Sequence, residues 1–233
     1  MEAHNPHIFD VGCGASSEAL AFGGAMRTSI YVDGFNLYFG ALKRTPYKWL
    51  DLKAVCERML SPKNKVSTIK YFTANVSSTP SNPTRSIHQQ AYIRALLATC
   101  PSLEVIRGQF RTHQVMKRLV TPINGQRHAL VEETTEKGSD VNLAVHLIND
   151  AWRDEFDCAV VISGDSGLAE SIRLVREYHP KKPVGVIAPG KGSMSKELVM
   201  TASFIKMMRT SVLSLCQLPV AIPGTPITKP SDW

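Results

Sequence analysis

Ala159-Val-Val-Ile162 is a continuous apolar run with three β-branched residues, and it passes at once into Ser163-Gly-Asp-Ser-Gly-Leu168. Such an unbroken stretch suits a strand buried on both faces of a parallel sheet, where no side chain along it meets water. Leu168, Ile172 and Val175 then keep helical spacing. A second apolar strand, Val184 to Ala188, follows, and then a helix near Ser195 to Met200. Upstream the same alternation holds. Ser29 to Asp33 is a short apolar run ending in a carboxylate. Asp51 opens a helix carrying Leu52, Val55, Met59 and Leu60, and Val66 to Ala74 is a strand. Asn82-Pro83 starts a helix with Ile87, Ala91, Ala95 and Leu96 on one face, and Leu103 to Ile106 is a strand. Val141, Ala144, Val145, Ile148 and Trp152 mark a helix opening at Ser139. Strands alternating with helices predict an α/β fold, a three-layer α/β/α sandwich around a mostly parallel sheet.

The 233 residues suit one domain with tails. Residues 1–27 read as a flexible N-terminal extension, 28–217 as the domain, and 218–233, with four prolines, as an extended tail wrapped on the body. A 43% hydrophobic and 20% charged composition argues against a wholly disordered chain. No run of 18 apolar residues offers a membrane span. Five scattered cysteines, at 13, 56, 100, 158 and 216, include no CxxC pair. They read as reduced thiols of a cytoplasmic protein, not as a disulfide framework or zinc site. The net charge is +7, unevenly spread: residues 43–128 carry 15 Lys/Arg against three acids, and the rest carries 12 against 17. A basic half beside an acidic half suits a protein that holds a polyanion in one place and cations in another. The same bias also serves as an ordinary soluble surface.

In parallel sheets the reactive edge is formed by loops leaving the carboxyl ends of the strands. Asp33 stands at one such end, within Tyr31-Val-Asp-Gly-Phe-Asn-Leu37, and Asp165 at another. Asp140 lies in the first turn of its helix, within Glu136-Lys-Gly-Ser-Asp-Val-Asn142. Each has a structural alternative: a turn residue for Asp33, a first-turn acid favoured by the helix dipole for Asp140, a helix cap for Asp165. Converging on one sheet edge they gain a second meaning, because clustered carboxylates repel unless a hard cation such as Mg²⁺ or Mn²⁺ neutralises them. Asn36 either orients a bound water or phosphate, or only closes its turn.

Tyr-Val-Asp-Gly-Phe-Asn-Leu-Tyr at 31–38, Glu-Lys-Gly-Ser-Asp-Val-Asn-Leu-Ala at 136–144 and Val-Ile-Ser-Gly-Asp-Ser at 161–166 resemble, in order, the three motifs of the NYN domain family. That family is a branch of the PIN-like ribonucleases, and the resemblance covers roughly residues 28–209. It implies a PIN-like, Rossmann-like sandwich, a divalent-metal site and hydrolysis of RNA by a metal-activated water. Asp33, Asp140 and Asp165 become metal-site carboxylates, Asn36 the polar partner of the first motif, and Glu136 an outer acid. The family's third motif usually reads Asp-x-Asp, whereas Gly167 stands here at the second acid. One carboxylate fewer weakens metal affinity and makes a two-metal arrangement harder to support. Haloacid-dehalogenase-like phosphatases also use an Asp after the first strand, but they want a second Asp two residues on, where this chain has Phe35.

Phosphate contacts are expected from Lys43, Arg44, Lys48, Arg85, Arg94, Arg107, Arg111, Lys117 and Arg118, with Lys43-Arg44 nearest the Asp33 motif. Phe35, Tyr38, Phe39, Tyr47 and Trp49 interleave with these charges and either stack unpaired bases or fill the core. Arg107 to Arg127 lacks clean periodicity and reads as an irregular or hairpin insertion over the active edge. His88 and His146 read as surface or packing residues. The sequence thus predicts a cytoplasmic, Mg²⁺- or Mn²⁺-dependent endoribonuclease acting on single-stranded RNA, with a homodimer compatible. An RNA-binding module weakened at Gly167 is the second reading, and a DNA- or nucleotide-directed hydrolase the third.

Overall fold

The computed structural model describes residues 24–190 and 194–233, so most of the predicted extension and Cys13 lie outside the described residues. Its sheet is built around β1 (Met26–Asp33), whose last six residues are all buried. On one side β1 pairs with β2 (Asn64–Thr73), which pairs with β3 (Leu103–Arg107). On the other side it pairs with β6 (Cys158–Ile162), followed by β7 (Val184–Pro189) and β8 (Phe204–Met208). The order is β3-β2-β1-β6-β7-β8, and every pairing is parallel.

Side chains alternate along each strand and so feed two cores. Ile30 and Val32 of β1, Val160 and Ile162 of β6 and Ile187 of β7 face one side. There α2 (Leu52–Met59), α3 (Arg85–Thr99), α7 (Thr210–Leu215) and the C-terminal segment cover them. Tyr31, Val161 and Val186 face the other, under α4 (Ser139–Trp152), α5 (Ala169–Tyr178) and α6 (Lys196–Thr201). These are the three predicted layers. On the second face Asp150 of α4 is buried, accepting from Tyr31 Oη at 2.7 Å and from Lys70 Nζ at 2.7 Å. That ion pair ties β2 to α4.

Several boundaries differ from the sequence reading. β1 begins at Met26, not after residue 27, because Met26 N–H donates to Lys63 and the Arg27 guanidinium pairs with Asp157 at 2.8 Å. Arg107 ends β3, and the rest of the 107–127 stretch from Gln109 onward belongs to a long antiparallel ribbon, β4 (Gln109–Ile123) and β5 (Gln126–Lys137). Asn124 and Gly125 turn it, both with positive φ (49° and 77°), as the tight two-residue hairpin demands. β8 and α7 are elements the sequence reading left unassigned. Residues 218–233 close over the first core: Leu218 N–H donates to Trp49 O, Trp49 Nε1–H to Pro219 O, and Leu218 and Ile222 are buried. The four described cysteines are buried thiols.

Candidate functional site

From β1 the chain moves outward through β2 and β3; it later re-enters at β6 and moves outward the opposite way through β7 and β8. The crevice at this reversal, between the carboxyl ends of β1 and β6, is where open α/β sheets bind ligands. β1 ends there in Asp33, and β6 leads through Ser163-Gly164 to Asp165. Two hydrogen bonds tie the two strand ends together, and two more shape the loops that leave them. Asp33 Oδ1 accepts from Asn36 N–H at 2.9 Å and its Oδ2 from Ser163 Oγ at 2.9 Å. Ser163 Oγ in turn accepts from Asp165 N–H at 3.1 Å, and Asn36 Oδ1 accepts from Gly164 N–H at 2.9 Å. Gly34, beside Asp33, is obligatory, since a Cβ there would lie 2.7 Å from the Tyr71 ring and 2.8 Å from Phe72 O.

Asp140 approaches from a third element, the first turn of α4, directly after Gly138 in the left-handed region. Glu136 Oε1 accepts from Ser139 N–H at 3.1 Å and from its Oγ at 2.8 Å, which fixes the start of α4. The cap foreseen for Asp165 is present, and Asp33, foreseen as a turn residue, is a cap as well. Asp33 caps α1 (Gly34–Leu37), and Asp165 Oδ1 caps the turn Ser166–Leu168 through Gly167 N–H at 2.9 Å. Each such bond uses one lone pair and leaves others free.

The charges sense one another. Asp33 is 4% exposed, and burial raises its pKa against the opposing pull of the Asn36 and Ser163 donors, with the Asp165 charge adding to the rise. The Asp140 pKa is pushed up to about 6, first by loss of hydration and then by the negative charges of Asp33, Asp165 and Glu136. Hard carboxylate oxygens with unrelieved negative charge suit Mg²⁺ or Mn²⁺. Among the described residues, no three of the His, Cys, Asp and Glu side chains are placed to enclose a metal ion between them. The donor set therefore fits an ion of the Mg²⁺ kind, held by one or two carboxylates with water and substrate phosphate completing the shell.

The basic residues divide. Lys43 and Arg44 line a wide depression beside the crevice together with Arg209, which the sequence reading missed. Phe39, 54% exposed, stands on its rim with Lys43 Nζ 4.9 Å above its ring. Arg85 lines a smaller, aromatic-walled cavity on the other side of Phe39. Arg94 is exposed on α3, outside the lining of this cavity, two positions past Tyr92. Arg111 is exposed on the ribbon, whose Phe110 packs edge-on against Phe35 at 5.7 Å. The Asn36 carbonyl oxygen spends one lone pair on the Gly164 staple, leaving the other and Nδ2 for a ligand. Gly167 is exposed, and a Cβ there would meet Asp165 Oδ1 at an ordinary 3.4 Å. Ser163 was inside a quoted motif without being assigned a role; its hydroxyl joins two of the acids. No helix of the described residues is long and apolar enough to cross a membrane.

Comparison with known proteins accords with this geometry. The chain is 31% identical over 236 aligned residues to 6-hydroxy-3-succinoylpyridine 3-monooxygenase HspA of Pseudomonas putida (strain DSM 28022 / S16), spanning 89% of this chain and 75% of that one. In fold it is similar to a crystal structure of a protein of unknown function from Vibrio parahaemolyticus RIMD 2210633. That match has a TM-score of 0.50 at 17% identity, covering 84% of this chain and 98% of the other. The family model of the NYN domain matches residues 27–208, and the chain belongs to the NYN domain family.

Proposed function

We propose that the protein is a divalent-metal-dependent ribonuclease that hydrolyses phosphodiester bonds of single-stranded RNA. The observation that carries this reading is the convergence of Asp33, Asp140 and Asp165, from three separate elements, on the switch point of the sheet, where loss of hydration and then the neighbouring negative charges raise the Asp140 pKa. One or two of the carboxylates of Asp33, Asp140 and Asp165 would hold Mg²⁺ or Mn²⁺, with water and substrate phosphate completing the shell. When bound, such an ion polarises the phosphate and lowers the pKa of a water molecule. The chain's own part is positional. Ser163 and the Asn36 backbone hold Asp33 in one orientation, and the Asn36–Gly164 bond keeps Asp165 beside it. Lys43, Arg44 and Arg209 hold the strand by its phosphates in the depression they line. Water adds to phosphorus, the P–O ester bond breaks, and the departing oxygen leaves as a hydroxyl.

The monooxygenase name of the Pseudomonas relative denotes a different reaction; at 31% identity the acidic crevice, not that name, supports the assignment. Gly167 supports a second reading, in which the domain binds RNA with weakened cleavage. The test is cleavage of a labelled single-stranded RNA with Mn²⁺ or Mg²⁺, comparing the chain with Asp165→Asn and Gly167→Asp, each with an EDTA control. Cleavage by the chain that EDTA and Asp165→Asn both abolish supports the nuclease. Cleavage only by Gly167→Asp supports the weakened binder. Absence of cleavage by all three, with turnover of a hydroxypyridine acid, would move the assignment to the relative's reaction.

A further inference from the structure

Beside the acidic crevice lies a cavity of about 160 Å³ walled by the rings of Phe35, Tyr38, Tyr71, Tyr92 and Trp233. These rings come from four parts of the chain, and Trp233 is seated by edge contacts to Trp49 at 6.2 Å and His88 at 5.5 Å. The volume suits one six-membered ring: an apolar cavity of about 150 Å³ in another protein admits benzene.

Polar groups around it are mostly spent. Gln89 donates to Thr73 Oγ1 and Ala74 O and accepts from Val76 N–H, Tyr92 Oη donates to Leu50 O, and Asp232 pairs with His88 at 3.2 Å. Three are not. Tyr71 is only 7% exposed, yet its hydroxyl has no hydrogen-bond partner among the described residues. Lys48 and Arg85 line the cavity and form no ion pair or side-chain hydrogen bond among the described residues. Gly34 and Phe35 belong both to this wall and to the loop leaving Asp33.

We infer that this cavity is a subsite for a single six-membered aromatic ring carrying an anionic arm, with the ring among the aromatic walls, a ring oxygen or nitrogen on Tyr71 Oη, and the anion on Arg85 and Lys48. Two sources offer that chemistry. One is a pyrimidine nucleotide of a strand whose neighbouring phosphate reaches Asp33, which rests on the nuclease reading. The other is a free aromatic carboxylic acid, which does not. The volume matches one ring, so a purine's second ring would project toward the cavity's open side, where it gains less from the aromatic walls.

Calorimetric titration of the full chain in EDTA tests this apart from catalysis, using uridine 5′-monophosphate, adenosine 5′-monophosphate and benzoate. The nucleotide source predicts uridine monophosphate binding about tenfold tighter than adenosine monophosphate and tighter than benzoate. The free-acid source predicts benzoate binding tightest. In either case Arg85→Gln, on the half-exposed first turn of α3, weakens the preferred ligand about tenfold, as removal of a hydrogen bond to a charged group should. Tyr71→Phe weakens it less, and Asp165→Asn leaves it unchanged. No binding of either single-ring ligand, equal binding of the purine, or indifference to Arg85→Gln would overturn the inference. Ring binding in a chain that cleaves no RNA would leave the subsite standing and sink only the nuclease reading.

Discussion

Asp140 concentrates the electrostatics of the crevice in one residue. Its folded pKa of about 6 lies above the ordinary 3.8, so the folded protein holds an extra proton between those values. Stability therefore falls as pH rises from 3.8 through about 6, and the charged carboxylate remains a liability above that window. Asp140→Asn should raise the melting temperature in EDTA at pH 7.5 and leave it unchanged at pH 3.5. Adding Mg²⁺ should stabilise the parent chain at pH 7.5 and shrink that advantage, because ligand binding stabilises only the form that binds it. Equal shifts at both pH values would show that the effect is not charge repulsion. At this scale the sequence was informative. Asp33, Asp140 and Asp165 each follow a recognisable element end, and two stand one residue from glycine. Ser163 and Tyr71 were not legible: the partner of the Ser163 hydroxyl lies on the neighbouring strand, and the cavity that Tyr71 faces is assembled from distant parts of the chain, so neither leaves a local pattern.

Among the elements, α4 and the ribbon behave oppositely. α4 is anchored by the nearly buried Lys70–Asp150 pair, so Asp150→Ala leaves an uncompensated ammonium and should cost roughly 3–5 kcal/mol, read by urea unfolding. A loss below about 1 kcal/mol would mean that Lys70 reaches solvent easily. The ribbon, by contrast, contributes no fully buried residue between 109 and 137. Replacing residues 114–132 by a short turn should leave the melting temperature within a few degrees while weakening RNA binding; a collapse of the fold would contradict that. The ribbon was half legible. Both of its faces meet solvent, so no strict alternation of apolar and polar residues marks its strands, although Asn124-Gly125 carries the hairpin signal. β1, β6 and β7 were legible because burial on two faces demands continuous apolar runs. β8 (Phe204-Ile-Lys-Met-Met208) is an edge strand with two exposed positions, and its pattern is correspondingly weak.

In the whole molecule the sheet places acids and bases on one rim, with the carboxylates at the switch point and Lys43, Arg44 and Arg209 beside them. If these three hold phosphates, log affinity for single-stranded RNA should fall with log salt at a slope of roughly −0.7 per contact, about −2 in all. The triple substitution to Gln should flatten the slope by that amount, measured by anisotropy titration across salt concentrations; an unchanged slope would place the strand elsewhere. The aromatic cavity was invisible beforehand, because its walls join residues 34–92 to Trp233 only after the C-terminal segment folds back.

The central claim is that this crevice adds water to a phosphodiester. Cleavage of a short single-stranded RNA in ¹⁸O-water with Mn²⁺, under single turnover, tests it most directly by mass spectrometry of the products. One ¹⁸O atom in the newly formed phosphate, absent from the Asp33→Asn reaction, is the predicted result. An unlabelled 2′,3′-cyclic phosphate, or no cleavage at all, would contradict it.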